Sequence, residues 1–402
     1  MTRALAILVA GLALGIPAAS AGHQAVPGVT ATSVLIGGTV PLTGPAAAFG
    51  VVGPGAAAYF AYVNDRGGVN GRTISYKYYD DAYDPAQTVQ LTRQLVQQDN
   101  AFAIFNTIGT PSALAVQPLL NQLQVPGLFA GTGATAFNDF KQYPWTMGYL
   151  PSFTAEGAIY GRQIAAATPK AKVGVLYEND DMGDDLLNGL KKGLGGKGKI
   201  VAALGYEPTD TDVASQVSRL KAAGADTFMI FATPLFAIKT FIAAHKLGWK
   251  PQFYVSSVSI EPTIMQIATA STSPATTAGS LSIAFVKDPT APRWAKDPVV
   301  KLYRQIMAKY DPSGRPSDVY NFYGMAVAFT MVDVLKKAGR NLTREGLLNA
   351  ATHLTESNNP FLLPGIVLRT SPNDYFPMDQ AALFRYTKGR WTQMGPLVPA
   401  RS

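Results

Sequence analysis

Short apolar runs alternate along this chain with longer stretches in which apolar residues recur at helical spacing. Val34–Val40 reads as a buried strand that stops at Pro41-Leu42-Thr43-Gly44-Pro45, a run with too many breakers to continue it. A helix follows with Ala57, Phe60, Ala61 and Asn64 on one side, then the Gly67–Gly71 turn and a strand at Ile74–Tyr79. Asp84-Pro85 predicts the start of the next helix, with Asp as cap and Pro in the first turn, where its missing N–H is no loss. Val89, Thr92, Leu95 and Val96 form that helix's buried stripe.

The most informative stretch is Ala103–Thr135. It predicts a strand (Ala103–Phe105), a small-residue turn, a helix capped by Ser112, and a strand (Val125–Ala130) that runs into Gly131-Thr132-Gly133. Ala113, Val116, Leu119, Leu120 and Leu123 give the helix its apolar stripe. Both turns fall at carboxyl ends of strands, the edge at which open α/β sheets bind ligands. Each offers backbone N–H groups and one hydroxyl, Thr110 or Thr132, a combination suited to a small carboxylate or other polar head group. Two ordinary βα turns are the alternative reading of the same residues. Strands and helices alternating in this way predict βαβ units and a parallel sheet. Pro144–Pro151 breaks the rhythm and marks a passage to a second unit. There the alternation restarts, with strands at Lys172–Tyr177, Ile200–Tyr206, Thr227–Ala232 and Phe253–Val255 between helical segments.

At 402 residues, 47% apolar and 15% charged, the chain is globular and suits two domains. Residues 1–21 read as an export signal: Arg3 begins it, Ala4–Ile16 is its apolar centre, and Ala19-Ser20-Ala21 supplies small residues before a cut. The mature chain is expected to start near Gly22, in the periplasm. Cysteine is absent, which excludes disulfides, a thiol nucleophile, a thiolate metal site and a lipid anchor on cysteine. Loss of Arg3 takes the formal charge from +8 to about +7, and the basic residues are scattered, so nucleic acid is not the expected partner.

Chemistry finds little material. Gly193–Ile200 imitates a phosphate loop but lacks the Ser or Thr after Lys199 and follows a helix rather than a strand, so it reads as a helix-ending turn. Gly131-x-Gly133 lacks the third glycine of a dinucleotide site. Histidine occurs at 23, 245 and 353 alone, with no metalloprotease motif and no nucleophile elbow. The clusters Asp80-Asp81-x-x-Asp84 and Asp180-Asp181-x-x-Asp184-Asp185 read as caps and solvated loops. No cofactor, metal or catalytic residue is expected.

A set of ordered segments resembles the type I periplasmic solute-binding proteins, specifically the leucine/isoleucine/valine-binding family of ABC importers: Val34–Gly50, Gly67–Tyr78, Ala103–Thr135, Val173–Gly183 and Leu363–Ile366. The resemblance implies two doubly wound parallel-sheet α/β lobes joined by a three-crossing hinge, with the ligand cleft between them. It adds a return crossing at Ser280–Val286 and a third near Pro364–Thr370, which assigns 28–147 plus 284–364 to one lobe and 148–283 plus 365–402 to the other. It implies a monomer that delivers a small solute to a membrane permease. By position in the family pattern, Phe49, Thr110, Gly131, Thr132, Gly133, Met182, Thr233 and Ser257 are site candidates, and Tyr149 and Tyr320 are wall candidates by location. Met182 replaces the family's aromatic. No acid stands beside Ser257 for a ligand ammonium, and Glu261 is out of register for that role, so an amine-free aromatic or aliphatic acid is expected ahead of a branched-chain amino acid-like solute. A ligand sensor and, from another class, a secreted α/β hydrolase are the alternatives.

Overall fold

The computed structural model describes residues 26–401, so the export segment and His23 lie outside the described residues. The chain first lays down β1 (Ser33–Val40), α1 (Val52–Asn64), β2 (Thr73–Asp80), α2 (Pro85–Gln97), β3 (Ala103–Phe105), α3 (Thr110–Gln122), β4 (Gly127–Ala130) and β5 (Thr146–Gly148). The five strands make an all-parallel sheet in the order β2-β1-β3-β4-β5. β3 and β4, central in the sheet, and β5, at its edge, are buried at every residue.

A second sheet repeats the design. It is built from α4 (Phe153–Ala167), β6 (Lys172–Glu178), α5 (Asp181–Leu194), β7 (Lys199–Tyr206), α6 (Ala214–Ala222), β8 (Thr227–Phe231), α7 (Pro234–Lys246), β9 (Gln252–Val255), α8 (Pro262–Ala270), a single turn α9 (Pro274–Thr277) and β10 (Leu281–Ala284). Its parallel part runs β7-β6-β8-β9-β10, the same order as the first sheet. The chain then returns to the first lobe as α10 (Pro298–Tyr310), α11 (Val319–Ala338) and α12 (Arg344–Ala351). α11 packs so closely on α1 that a Cβ at Gly55 would lie 2.6 Å from the Asn321 carbonyl oxygen. After a small ribbon of β11 (Thr355–Glu356) and β12 (Leu368–Arg369), β13 (Gln380–Thr387) and β14 (Arg390–Pro399) add to β10 as an antiparallel hairpin.

The crossings sit slightly away from the expected places. Thr146–Gly148 is the fifth strand of the first sheet, so the first passage begins at Tyr149. Leu281–Ala284 is likewise a strand of the second sheet, and the return passage is the segment just after it. The third passage pairs with it: Leu363 N donates to Phe285 O at 2.8 Å and Lys287 N to Phe361 O at 3.0 Å. Strands of three or four residues beside proline carry too little periodicity to separate from a linker.

Asp84 and Asp180 cap α2 and α5 through their carboxylates. The imitation phosphate loop is the end of α5, closed by Gly195 in the left-handed conformation. Ser112, however, does not cap α3. The helix begins three residues earlier because Gly109 adopts φ +93°, where a side chain would be strained and would strike the Tyr83 ring. Ser112 instead lies inside the first turn, its hydroxyl hydrogen-bonded to that of Thr88 at 3.0 Å.

Candidate functional site

Each sheet reverses its strand order once, between β1 and β3 and between β6 and β8, and such switch points open crevices at the carboxyl ends of strands. Segments after β1, β2, β3, β4, β6, β8 and β9 line one cavity between the lobes, of about 120 Å³. An apolar protein cavity of roughly 150 Å³ admits a benzene ring. Its lining is dominated by apolar groups, among them Phe49, Ile108, Leu150, Phe153, Met182 and Tyr320. Phe49 and Tyr320 meet edge to face with centroids 5.1 Å apart, and the Tyr320 hydroxyl donates to Val258 O of the other lobe at 2.7 Å.

The polar groups arrive in two sets. From the first lobe comes the start of α3, which carries no side-chain cap, so its leading N–H groups lack intrahelical acceptors and present the positive end of the helix dipole. Thr110 opens that helix and lines the cavity. Its Oγ1 lies 2.7 Å from Thr132 Oγ1, which also accepts from Ala134 N at 3.1 Å. Thr132 is fully buried and stands behind Thr110, outside the lining, so it orients the front hydroxyl rather than sharing a ligand with it. From the second lobe come Thr233 and Ser257. The Thr233 hydroxyl donates to Glu178 Oε2 at 3.1 Å; Ser257 gives its N–H and hydroxyl to the two oxygens of Glu156, at 2.7 and 2.6 Å. Both hydroxyls therefore spend their protons on buried carboxylates and face the cavity as acceptors.

Glu178 ties the lobes together. It accepts from Tyr206 at 2.6 Å and, across the cleft, from Tyr83 at 3.1 Å. Tyr83 reaches it from a left-handed pair, Ala82 and Tyr83, whose N–H groups bond to the carboxylates of Asp80 and Asp81. The acidic run after β2 thus shapes a turn that aims a tyrosine. Burial, then the neighbouring Glu178 charge, pushes Asp180 up to about 8; burial, then Asp318, pushes Glu261 up to about 7. An ordinary carboxylate ionises near pH ~4; Glu261 lines the cleft and Asp180 lies beside Glu178, which spans it, so cleft opening is expected to return both toward that value. Their raised values favour the closed state fully below about pH 4, and this contribution is lost as pH rises through about 7 to 8. Ligand-free protein should therefore show a larger radius of gyration by small-angle scattering at pH 9 than at pH 5. Equal radii would count against this linkage.

Of the residues marked by sequence, Phe49, Thr110, Gly131, Met182, Thr233, Ser257 and Tyr320 line the cavity together. Thr132, Gly133 and Tyr149 do not. A Cβ at Gly133 would overlap Pro151 O, so this glycine lets the second turn pack on the first crossing. Tyr149 is buried in the hinge, bonded to Thr330 Oγ1 at 3.0 Å within a network that includes Glu356 and Asn359. Glu261 corrects the sequence reading. It lines the cavity, its Oε2 caps α8 through Ile264 N at 3.0 Å, and its buried Oε1 has no partner among the described residues.

The periplasmic binding protein family matches residues 33–390, nearly the whole described chain. This chain belongs to that family. A Leu/Ile/Val-binding protein homolog from Brucella abortus is 26% identical over 317 residues, covering 78% of this chain and 80% of that one. A fatty acid ABC transporter substrate-binding protein from Thermomonospora curvata superposes with a TM-score of 0.80 at 23% identity, over 93% of this chain and 94% of that one. A branched chain amino acid ABC transporter protein from Thermus thermophilus, with bound valine, gives 0.79 at 18%, over 91% and 96%. The family consists of solute-binding proteins, and the two lobes around a cleft are its architecture. Its name gives the periplasm as the compartment, and no helix among the described residues is long and apolar enough to cross a membrane.

Proposed function

We propose that this chain is the solute receptor of an ABC importer and that its lobes close around a small carboxylic acid with an apolar body and no α-amine. One observation carries the reading: an uncapped helix start presents Thr110 to a cavity whose lining is mostly apolar. A carboxylate there gains the helix N–H groups and a hydroxyl, while the remainder of the ligand replaces water against Phe49, Met182 and Tyr320. The named relatives span branched-chain amino acid and fatty acid receptors, so this fold serves ligands with and without an amine.

Glu261 bears on the choice between those two classes. A buried ammonium needs a full negative charge beside it. Glu261 holds the start of α8 through Oε2, and burial, then Asp318, pushes its carboxyl up to about 7, so in its protonated form it can donate to an uncharged ligand oxygen. Calorimetry with leucine and with its amine-free counterpart, 4-methyl-2-oxopentanoate, separates the cases. The keto acid is expected to bind at least about tenfold tighter, a difference of about 1.4 kcal/mol. Tight leucine binding that disappears in Glu261→Gln would instead make Glu261 the ammonium partner and overturn the amine-free part of the proposal.

A further inference from the structure

The two lobes show the cavity opposite polarities. The first offers donors, the uncapped N–H groups where Thr110 opens α3. The second offers the hydroxyls of Thr233 and Ser257, and both protons are already spent. At Ser257 one side chain is responsible. Glu156, in the first turn of α4 and fully buried, takes the Ser257 N–H on Oε1 at 2.7 Å and the Ser257 hydroxyl on Oε2 at 2.6 Å. The Tyr160 hydroxyl adds a third donor, to Oε1 at 2.8 Å. Burial pushes this carboxyl up, and the bonds from Ser257 and Tyr160 oppose that shift by favouring the charged form. At Thr233 the direction is fixed by its neighbours. The Tyr206 hydroxyl accepts from Thr233 N at 3.0 Å and donates to Glu178 Oε2 at 2.6 Å, which leaves the Thr233 hydroxyl to donate to that same oxygen at 3.1 Å.

We infer that Glu156 is a positioning residue which, through Ser257, makes this site select a small hydroxy acid, with its hydroxyl on carbon 2 or 3, over the matching keto acid. The inference rests on the carboxylate anchor at Thr110 and on a ligand without an α-amine. With the carboxylate on the donors of the first lobe, the ligand hydroxyl gives its proton to Ser257 Oγ on the second. A carbonyl oxygen in that place has no proton to give and meets lone pairs only. A hydroxy acid of four or five carbons is small enough for a cavity of about 120 Å³. It also gives each lobe a partner of the opposite kind, which ties recognition of the hydroxyl to closure.

Calorimetry with two matched pairs tests this: 2-hydroxy-3-methylbutanoate against 3-methyl-2-oxobutanoate, and 3-hydroxybutanoate against 3-oxobutanoate. In at least one pair the hydroxy acid should bind the wild type about two- to tenfold tighter. Glu156→Gln should invert that preference. The Ser257 N–H and the Tyr160 hydroxyl both need an oxygen at the Oε1 position, so the amide nitrogen takes the other. There it donates to Ser257 Oγ and turns the serine proton toward the cavity. A role in stability alone would weaken both members of a pair equally. Ser257→Ala, which keeps the backbone bond to Glu156, should abolish the preference without inverting it. Keto acids bound as tightly as hydroxy acids in both pairs, or a hydroxy preference unchanged in either variant, would refute the inference and leave the anchor standing. Valine bound tighter than either five-carbon acid would overturn the amine-free reading, and the inference with it.

Discussion

Replacing Thr110 with valine is expected to weaken binding of a small carboxylate about 10- to 100-fold, with a modest fall in the melting temperature of the ligand-free protein. The side chains are nearly the same shape, so packing against the cavity is kept. What is lost is a hydroxyl hydrogen bond to a charged group, worth about 1.5–3 kcal/mol, and every 1.4 kcal/mol is about tenfold in affinity. The buried Thr132 hydroxyl still accepts from Ala134 N but loses its partner at position 110, which costs about 1–3 kcal/mol of stability in the ligand-free protein. Thr132→Val is expected to cost less, since Thr132 acts by orienting Thr110. Calorimetry of both variants against one acid checks the order. Wild-type affinity in Thr110→Val would place the carboxylate somewhere else.

Tyr320→Ala is expected to reduce affinity for a small acid by about two to four orders of magnitude, and Tyr320→Phe by about tenfold or less. The ring forms a wall of the cavity and packs edge to face on Phe49, while its hydroxyl joins the lobes through Val258 O. Burying an aromatic ring against a ligand contributes about 1.5–3 kcal/mol, and an aromatic pair adds about 0.5–1.5 kcal/mol. A single neutral hydrogen bond contributes about 0.5–1.5 kcal/mol. Truncation to alanine removes all three contributions; phenylalanine removes the last. Equal losses in the two variants would mean that the interlobe bond, and not the wall, controls binding.

The alternation of strands and helices was legible because each long element has a buried stripe of one period. β5 and β10 were not, since three or four residues beside a proline or a crossing carry no period at all. Within the site, Thr110 was marked by the small-residue turn after β3, and Met182 and Thr233 by their positions in the family pattern; all three line the cavity. Depth could not be read in this way. Thr110 and Thr132 look equivalent in sequence, yet one faces the cavity and the other stands behind it. Glu261 was misplaced for a related reason: the short 3-10 turn Ser257–Ser259 shifts the register after β9 and swings the start of α8 into the lining. Tyr83 left a usable signal, an acidic pair two residues ahead of it whose carboxylates fold the chain back into a left-handed turn. The part of the cavity beside the crossings brings together residues from 284 to 391 and left no local signal of any kind.

The central claim is that α3 anchors a carboxylate through Thr110. A crystal structure of the protein grown with 4-methyl-2-oxopentanoate tests it most directly. The account predicts a closed cleft with a carboxylate oxygen about 2.7 Å from Thr110 Oγ1, the usual distance for an O–H···O contact, and the branched end against Phe49 and Tyr320. A carboxylate found on Arg293 at the far mouth of the cavity, with Thr110 untouched, would contradict it.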